Sequence, residues 1–416
     1  MAFALGDPAT AKAVRLADAV AAIRAHLGSI SDTEMVDLSQ ARGRVLAEDL
    51  ITKVSLPHWD SAAVDGFALR APDLLPGRPN RLTVVGEAAA GRPFPGIVGA
   101  GQAVRILTGA PLPQGADLIV MQEVCRTDGS RVVIQEGTLG KMHRRVRGED
   151  VGLGSGVIVA GRRLRPQDVA LAGALGYRQL KVRRRASVGL FSTGDELCEP
   201  GVALANGQIW DANRCILRGL LEHVGCKVVD FGILRDEPEL MEGALSRAAH
   251  DCDLLVTSGG MSVGGGDYIR SIIGRRGALE FWPLAITPGK PVGVGDIDDC
   301  PMLALPGNPI AAVVAFIAVG RPMVDVVSGA SQDPPRSLSI PAAFTLEKRS
   351  GVRQFLVAEV RACDRDENAV VPGDRQGTGM LSALTGSVGF IVLDEDREVV
   401  RHGERVDFLP MQAYLS

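Results

Sequence analysis

Aromatic side chains are scarce in this chain: they make up 4% of its 416 residues. Stacking platforms for single-stranded nucleic acid need such rings, and a formal charge of −4 offers no basic surface for a polyanion or an anionic membrane, so nucleic acid and membrane partners are discounted. Cysteine is sparse and unpatterned, with 7 residues and no C-x-x-C pair, and the 6 histidines show no ligand-like spacing. That excludes a zinc ribbon and a disulfide framework and points to free thiols in a reducing compartment. The N-terminal stretch MAFALGDPATAKAVRL lacks the basic, apolar and small-residue order of a secretory signal. The longest apolar run, Ile310 to Val319, is about half the ~20 residues of a membrane span. The expected location is the cytoplasm.

Hydrophobic residues at 46% and charged residues at 23% are those of an ordinary globular protein, and the length suffices for roughly two to four domains. From 186 to 329, apolar runs alternate with amphipathic stretches. SVGLFS, KVVDFGIL, DLLVTS, LEFWPLAI and PMLALPG read as strands. DANRCILRGLLEHVG reads as a helix with Asp211 as N-cap and Gly225 just past its end. The next helix is expected to start from a cap at Asp236 and to bury Leu240, Ala244 and Leu245. Strands separated by such helices imply parallel pairing in a central α/β domain. Residues 57–139 carry short β-like runs between Gly/Pro turns and read as an inserted β-rich domain. Residues 1–56 and 140–185 carry helical patterns and read as one helical linking domain. After a proline-containing linker, SQDPPRS, the segment within 330–416 reads as a small all-β domain, giving a multidomain α/β and β protein. The basic run Arg162, Arg163, Arg165, Arg178, Lys181 and Arg183 to Arg185 reads as a solvated linker face.

The stretch SGGMSVGGGD, Ser258 to Asp267, contains G-M-S-V-G and so satisfies a nucleophile-elbow pattern at Ser262. A triad needs a later histidine, and only His402 follows, in what reads as a hairpin turn of the β domain. A nucleotide cradle needs G-x-x-x-x-G-K-[ST], which is missing. What remains is a loop of bare backbone N–H groups presenting Asp267 at a helix start, against the plainer reading of a turn capped by Asp267. Two more strand-end turns, FSTGDEL (Ser192, Thr193, Gly194, Glu196) and LPGNP (Pro306, Gly307, Asn308, Pro309), belong to the same sheet, and loops at one sheet rim converge. Acidic residues without His or Cys, such as Asp65, Glu149, Asp150, Glu196 and Asp267, suit a hard cation such as Mg²⁺ beside phosphate, although each alone is an ordinary cap or turn residue.

Nine segments in order, DSAAVDGFALR, RILTGAPLPQGADLIVMQE, RGED, GLFSTGDEL, DANRCILRGLLEHVG, TSGGMSVGGGDY, PGKPVGVG, ALPGNPIAAVVAF and RQGTGMLSAL, resemble the molybdopterin molybdenumtransferases, the family of MoeA and the gephyrin E domain. The resemblance implies four domains in an elongated homodimer whose cleft is shared between subunits. It implies Mg²⁺-dependent hydrolysis of adenylylated molybdopterin, release of AMP, and insertion of molybdate. Partners would be a molybdopterin adenylyltransferase and recipient molybdoenzymes. By position it implies catalytic roles for Asp65, Thr108, Asp150, Glu196, Asp236 and Asp267, with Asp65, Glu196 and Asp267 on the metal. It implies molybdopterin binding by Ser192, Thr193, Gly194, Ser258, Gly259, Gly260, Ser262, Gly264, Lys290 and Pro306 to Pro309. The oxyanion would meet Lys290, Pro291, Arg353, Thr378 and Ser382. Departures gather in that oxyanion half: Pro283 and Thr287 stand at lysine positions, Ala311 at a serine and Val352 at an arginine, while Ser61-Ala62 replaces Asn-Ser. They leave a second reading, a specialised paralogue that carries molybdopterin or the finished cofactor without full molybdate insertion.

Overall fold

The computed structural model describes residues 13–135, 143–235, 237–259, 268–331, 337–362 and 368–413. At its centre stands an α/β unit with strands β1 (Ser187–Thr193), β2 (Lys227–Leu234), β3 (Leu254–Ser258), β4 (Gly277–Pro283), β5 (Pro291–Ile297) and β6 (Cys300–Leu305). Their spatial order is β2-β1-β3-β6-β5-β4. The first four run parallel, whereas β5 is antiparallel to both neighbours, so the sheet is mixed rather than wholly parallel. The pattern reading of 279–286 as one strand is corrected: β4 ends at Pro283, and only Ile286–Thr287 continues, into another sheet. Strand β5 escapes a periodicity search because PVGVGDI is buried along nearly its whole length and shows no alternation. It turns into β6 through Asp298 and Asp299, which take φ of 49° and 65°, a region that Asp tolerates better than most side chains.

Alternation along the strands sorts the two faces of the sheet. Val188 and Leu190 of β1 and Leu254 and Val256 of β3 pack with Leu217, Leu220 and Leu221 of helix α1 (Asn213–His223). Phe191 and Leu255 face the other way, toward Met241, Leu245 and Ala248 of α2 (Pro238–Asp251) and Ile272 and Ile273 of α3 (Tyr268–Arg276). The start of α1 is capped through Asp211, whose Oδ1 accepts the Arg214 N–H at 3.1 Å, and Gly225 closes its end at φ +86°. In α2 the expected burial of Leu240 is wrong: it is 68% exposed, and Met241 is the buried residue, because Met241, Leu245 and Ala248 share the face that meets the sheet. The cap residue assigned to this helix, Asp236, lies outside the described residues.

Helix α4 (Pro309–Val327) carries a π turn at Phe316–Gly320. It is longer than the uncharged run in the sequence because Arg321 and Asp325, which interrupt that run, pair with each other at 2.9 Å. Among the described residues it is the helix long and apolar enough to cross a membrane, yet 78% of its apolar window is buried inside the fold.

The β-rich unit is a six-stranded sheet in the order Leu118–Met121, Gly66–Leu69, Gln102–Ile106, Asn80–Ala88, Arg131–Ile134, Cys125–Asp128. The linking region is not helical throughout. Helix Leu16–His26 inserts Ala19 and Ile23 into the α/β core, and the rest is built on strand pairs, Thr33–Asp37 with Gln179–Arg183 and Leu50–Ile51 with Gly156–Ile158, around helix Pro166–Ala174. The basic run is a solvated face only in part: Arg165, Arg178, Lys181 and Arg185 are exposed, whereas Arg162, Arg163, Arg183 and Arg184 are half-buried. Arg163 reaches Asp325 at 3.0 Å, Arg184 holds Asp253 at 2.6 Å and Asp32 at 2.9 Å, and Arg183 and Arg185 donate to the main-chain oxygens of Ile30 and Gly225. These arginines fasten the linking region to the α/β unit, and their sequence clustering reflects one seam.

In the C-terminal unit the sheet order is Ile286–Thr287, Arg353–Ala362, Gly389–Leu393, Arg405–Pro410, Leu338–Pro341. Its first strand is lent by the α/β unit and runs parallel to Arg353–Gln354.

Candidate active site at the strand ends

The carboxyl ends of β1, β3 and β6 form one rim. At Gly259, φ is +90° and an added Cβ would overlap the Thr193 carbonyl oxygen, so only glycine lets the loop after β3 leave this close to β1. The Gly259 N–H donates to the Leu305 carbonyl at 3.1 Å and binds that same exit to β6. Four hydroxyl residues are buried there: Ser192 and Thr257 are 0% exposed, Ser258 3% and Thr193 4%. By strand alternation Ser192 and Ser258 point to the α1 side, Thr193 and Thr257 to the α2 and α3 side. The hydroxyl oxygens of Ser192, Thr193 and Thr257 have no hydrogen-bond partner among the described residues. Desolvating a hydroxyl without a partner costs about 1–3 kcal/mol, a cost a bound ligand would remove.

Glu196, exposed, folds its carboxylate back over Gly194, and a Cβ there would push that side chain aside. Gly307 and Asn308 are exposed at the turn into α4. Sequence reasoning missed Asn213, which is 8% exposed and whose Nδ2 donates to Ser258 Oγ and to the Gly307 carbonyl, both at 2.7 Å. Its signal was present as an amide residue directly after the helix cap.

The residues assigned to an oxyanion divide. The Lys290 ammonium is exposed and has no partner among the described residues, and Pro291 begins β5. Thr378 is exposed, and its carbonyl accepts the Ile310 N–H at 3.0 Å, so the C-terminal unit reaches the first turn of α4. Ser382 Oγ takes a hydrogen bond from Arg375 Nη1 at 3.2 Å. Arg353 does not serve as a free cation: it pairs with Asp394 and Glu395, each at 3.0 Å, and Glu395 is 6% exposed. Arg375 was not picked out from the sequence, and it forms no ion pair among the described residues.

Asp65 stands in the β-rich unit, where its Oδ1 accepts both the N–H and the hydroxyl of Thr108 at 2.7 Å. Those two bonds hold its carboxyl below the usual range. Asp150 is exposed in the turn after the short pair Ser61–Ala62 with Arg144–Arg145, and Glu149 accepts the Val146 N–H at 2.7 Å. Gly260, Ser262, Gly264 and Asp267 lie outside the described residues. Among the described residues no three His, Cys, Asp or Glu side chains gather as a metal site. Six cysteines, at 125, 198, 215, 226, 252 and 300, are free thiols, and burial pushes Cys226 and Cys300 up to about 12.

Three family profiles match the chain in order: the MoeA N-terminal region (domains I and II) over 14–176, a probable molybdopterin-binding domain over 189–325, and the MoeA C-terminal region (domain IV) over 339–411. The molybdopterin molybdenumtransferase of Haemophilus influenzae is 36% identical over 391 residues, covering 93% of this chain and 96% of that one. Molybdopterin molybdenumtransferase 2 of Mycobacterium tuberculosis is 36% identical over 385 residues, covering 89% and 93%. The crystal structure of the molybdopterin biosynthesis moeA protein from Pyrococcus horikoshii superposes with a TM-score of 0.80 at 30% identity, covering 96% of this chain and 100% of that one. The mixed α/β unit and the β-rich and C-terminal β units are those of this group, and the chain belongs to the molybdopterin molybdenumtransferase family, transferases of molybdenum cofactor biosynthesis.

Proposed function

We propose that the protein takes adenylylated molybdopterin, hydrolyses its phosphoanhydride, releases AMP and transfers molybdate to the dithiolene. The observation that carries this reading is the set of buried hydroxyls of Ser192, Thr193 and Thr257, without a hydrogen-bond partner among the described residues, at a rim where Gly259 and the Pro306 to Asn308 turn converge. A phosphate or pterin ligand supplies the partners those oxygens lack. The rim's donors are hydroxyls, main-chain groups and the Glu196 carboxylate, an oxygen set that suits a hard cation such as Mg²⁺. Glu196 would hold it, with Asp267 from the following loop and Asp65 from the β-rich unit. Such an ion, when bound, supplies neutralisation of the phosphoanhydride charge. Water adds to the phosphorus, the P–O bond to the AMP phosphate breaks, and the proton lost by water passes to a carboxylate of the set, Glu196 or Asp65.

Asp65 and Thr108 reside on a different unit from the rim, which supports a homodimer in which a second copy's β-rich unit closes the cleft; equilibrium sedimentation at a dimer mass checks this. A cytoplasmic setting, with no membrane or nucleic acid partner, follows from the same reading. Supply by a molybdopterin adenylyltransferase and delivery to molybdoenzymes are its expected neighbours.

The pairing of Arg353 with Asp394 and Glu395 favours the second reading, a carrier of molybdopterin or finished cofactor, because it leaves Lys290 as the cation of the assigned oxyanion set without a counter-charge among the described residues. Mixing the purified protein with adenylylated molybdopterin, Mg²⁺ and molybdate, and assaying AMP and inserted molybdenum separately, decides between them. Both products support the transferase; AMP without molybdenum insertion selects the specialised paralogue; no binding of molybdopterin sinks both.

A further inference from the structure

We propose that Asn213 is a positioning residue of the rim, acting as a strut that holds the exit loop of β3 and the turn after β6 at a fixed separation. A carboxamide has two N–H hydrogens, and both are committed: one to Ser258 Oγ at 2.7 Å, the other to the Gly307 carbonyl at 2.7 Å. The Gly307 oxygen can only accept, so the orientation of the amide is unambiguous. With its oxygen occupied by Asn213, the Ser258 hydroxyl turns its own hydrogen toward the Pro306 carbonyl at 3.4 Å. Ser258 is therefore part of the strut, unlike the three hydroxyls beside it that have no partner among the described residues.

The strut is anchored from behind. Asn213 opens α1, whose first turn is fixed by Asp211, and Arg214 binds that carboxylate at 3.0 Å while also holding Asp230 of β2 at 2.7 Å and Glu199. Burial works against the Arg214 charge, and the three carboxylates raise its pKa overall. An ion-pair network rooted in β2 thus sets the position of one amide that spans β3 and β6. Any ligand held by both loops depends on that separation, and a misplacement of about 1 Å at a reacting centre can cost on the order of a hundredfold in rate.

The ligand in this inference rests on the reading proposed above; the strut does not. In Asn213→Ala, the Gly259 amide is expected to exchange with deuterium about tenfold faster than in the parent as the loop opens locally. Unchanged exchange at Gly259 overturns the strut whether or not the protein turns over any substrate. With adenylylated molybdopterin and Mg²⁺, Asn213→Ala is expected to lose roughly thirtyfold in kcat/KM for AMP release. In Asn213→Asp the carboxylate faces the Gly307 oxygen, so it should behave like the alanine variant at pH 8 and recover in part at pH 5.5, where a protonated carboxyl donates its one hydrogen to that oxygen, a change the parent profile should not show. Equal kcat/KM in parent and Asn213→Ala, or an Asn213→Asp profile parallel to the parent's, overturns the positioning role. A parent that releases no AMP and binds no molybdopterin defeats the functional reading instead, and the exchange result then decides the strut alone.

Discussion

Arg353 lies against Glu395 at 3.0 Å, with Asp394 on the same guanidinium. Glu395 is almost wholly buried, so removing this partner strands its carboxylate away from water. Arg353→Ala is expected to lower unfolding free energy by roughly 3 kcal/mol in urea titration, the usual cost of stranding a buried carboxylate. Molybdate affinity, measured by equilibrium dialysis, should change little, whereas Lys290→Ala should lower it. A large loss of molybdate binding by a well-folded Arg353→Ala would return Arg353 to the oxyanion set.

Gly259→Ala has no accessible solution in the native backbone. It needs a left-handed φ and meets the Thr193 carbonyl. The expected result is a loss of at least about 2 kcal/mol in thermal or urea unfolding, or displacement of the loop with loss of ligand binding. A stable, fully binding variant would show that β1 and β3 part more easily than their closeness suggests.

Asp65→Asn keeps an oxygen for the Thr108 N–H and hydroxyl but removes the charge. It is expected to fold normally and to lose at least about tenfold in AMP release if Asp65 contributes its charge to the cleft. Because the two Thr108 bonds depress its pKa, the sign of the pH effect is fixed: the stabilisation is fully present above the ordinary Asp value near 3.8 and is lost as pH falls through the lower folded value. Wild-type AMP release should therefore show no limb from this carboxyl at pH 5, and Thr108→Val should move its titration, read by NMR, back toward the ordinary range.

His223 ends α1 with its pKa lowered, first by burial and then by the nearby charges of Arg321, Arg42 and Arg163. A base whose folded pKa is depressed carries no penalty above its unfolded value near 6.5; as pH falls below that, the unfolded chain takes up a proton the fold resists, and stability drops until the folded value is passed. Melting temperature should fall between pH 7 and pH 5.5, and the fall should shrink in His223→Gln.

Asp253→Asn tests the arginine seam. Asp253 binds Arg184 through both oxygens, at 2.6 and 2.7 Å, and accepts the Ser187 N–H at 2.8 Å. Replacing the charge should cost about 2 kcal/mol in urea titration, the scale of charge-assisted hydrogen bonds in a half-buried site. A neutral result would mean that Arg184 is held mainly by Asp32.

Much of this protein is determined by local sequence. The strands at 187–193, 227–234 and 254–258, the helix closed between Asp211 and Gly225, and the β-rich and C-terminal β units follow from periodicity, capping and turn chemistry, because each depends on residues a few positions apart. The rim was legible for the same reason: Gly-containing turns after parallel strands end on one edge of a sheet. Leu240 and Met241, adjacent and both apolar, could be sorted only by which way α2 sits on the sheet. Strand β5 needed its neighbours, since two glycines and continuous burial give it no period of its own. Whether an arginine is a free cation is decided by what lies across space from it: Arg353 meets two carboxylates more than forty positions onward in the chain, Arg163 meets Asp325, and Asn213 meets Ser258 and Gly307. Short-range order is set by propensity and pattern, whereas charge pairing and hydroxyl satisfaction are properties of contacts that exist only after the chain has closed on itself.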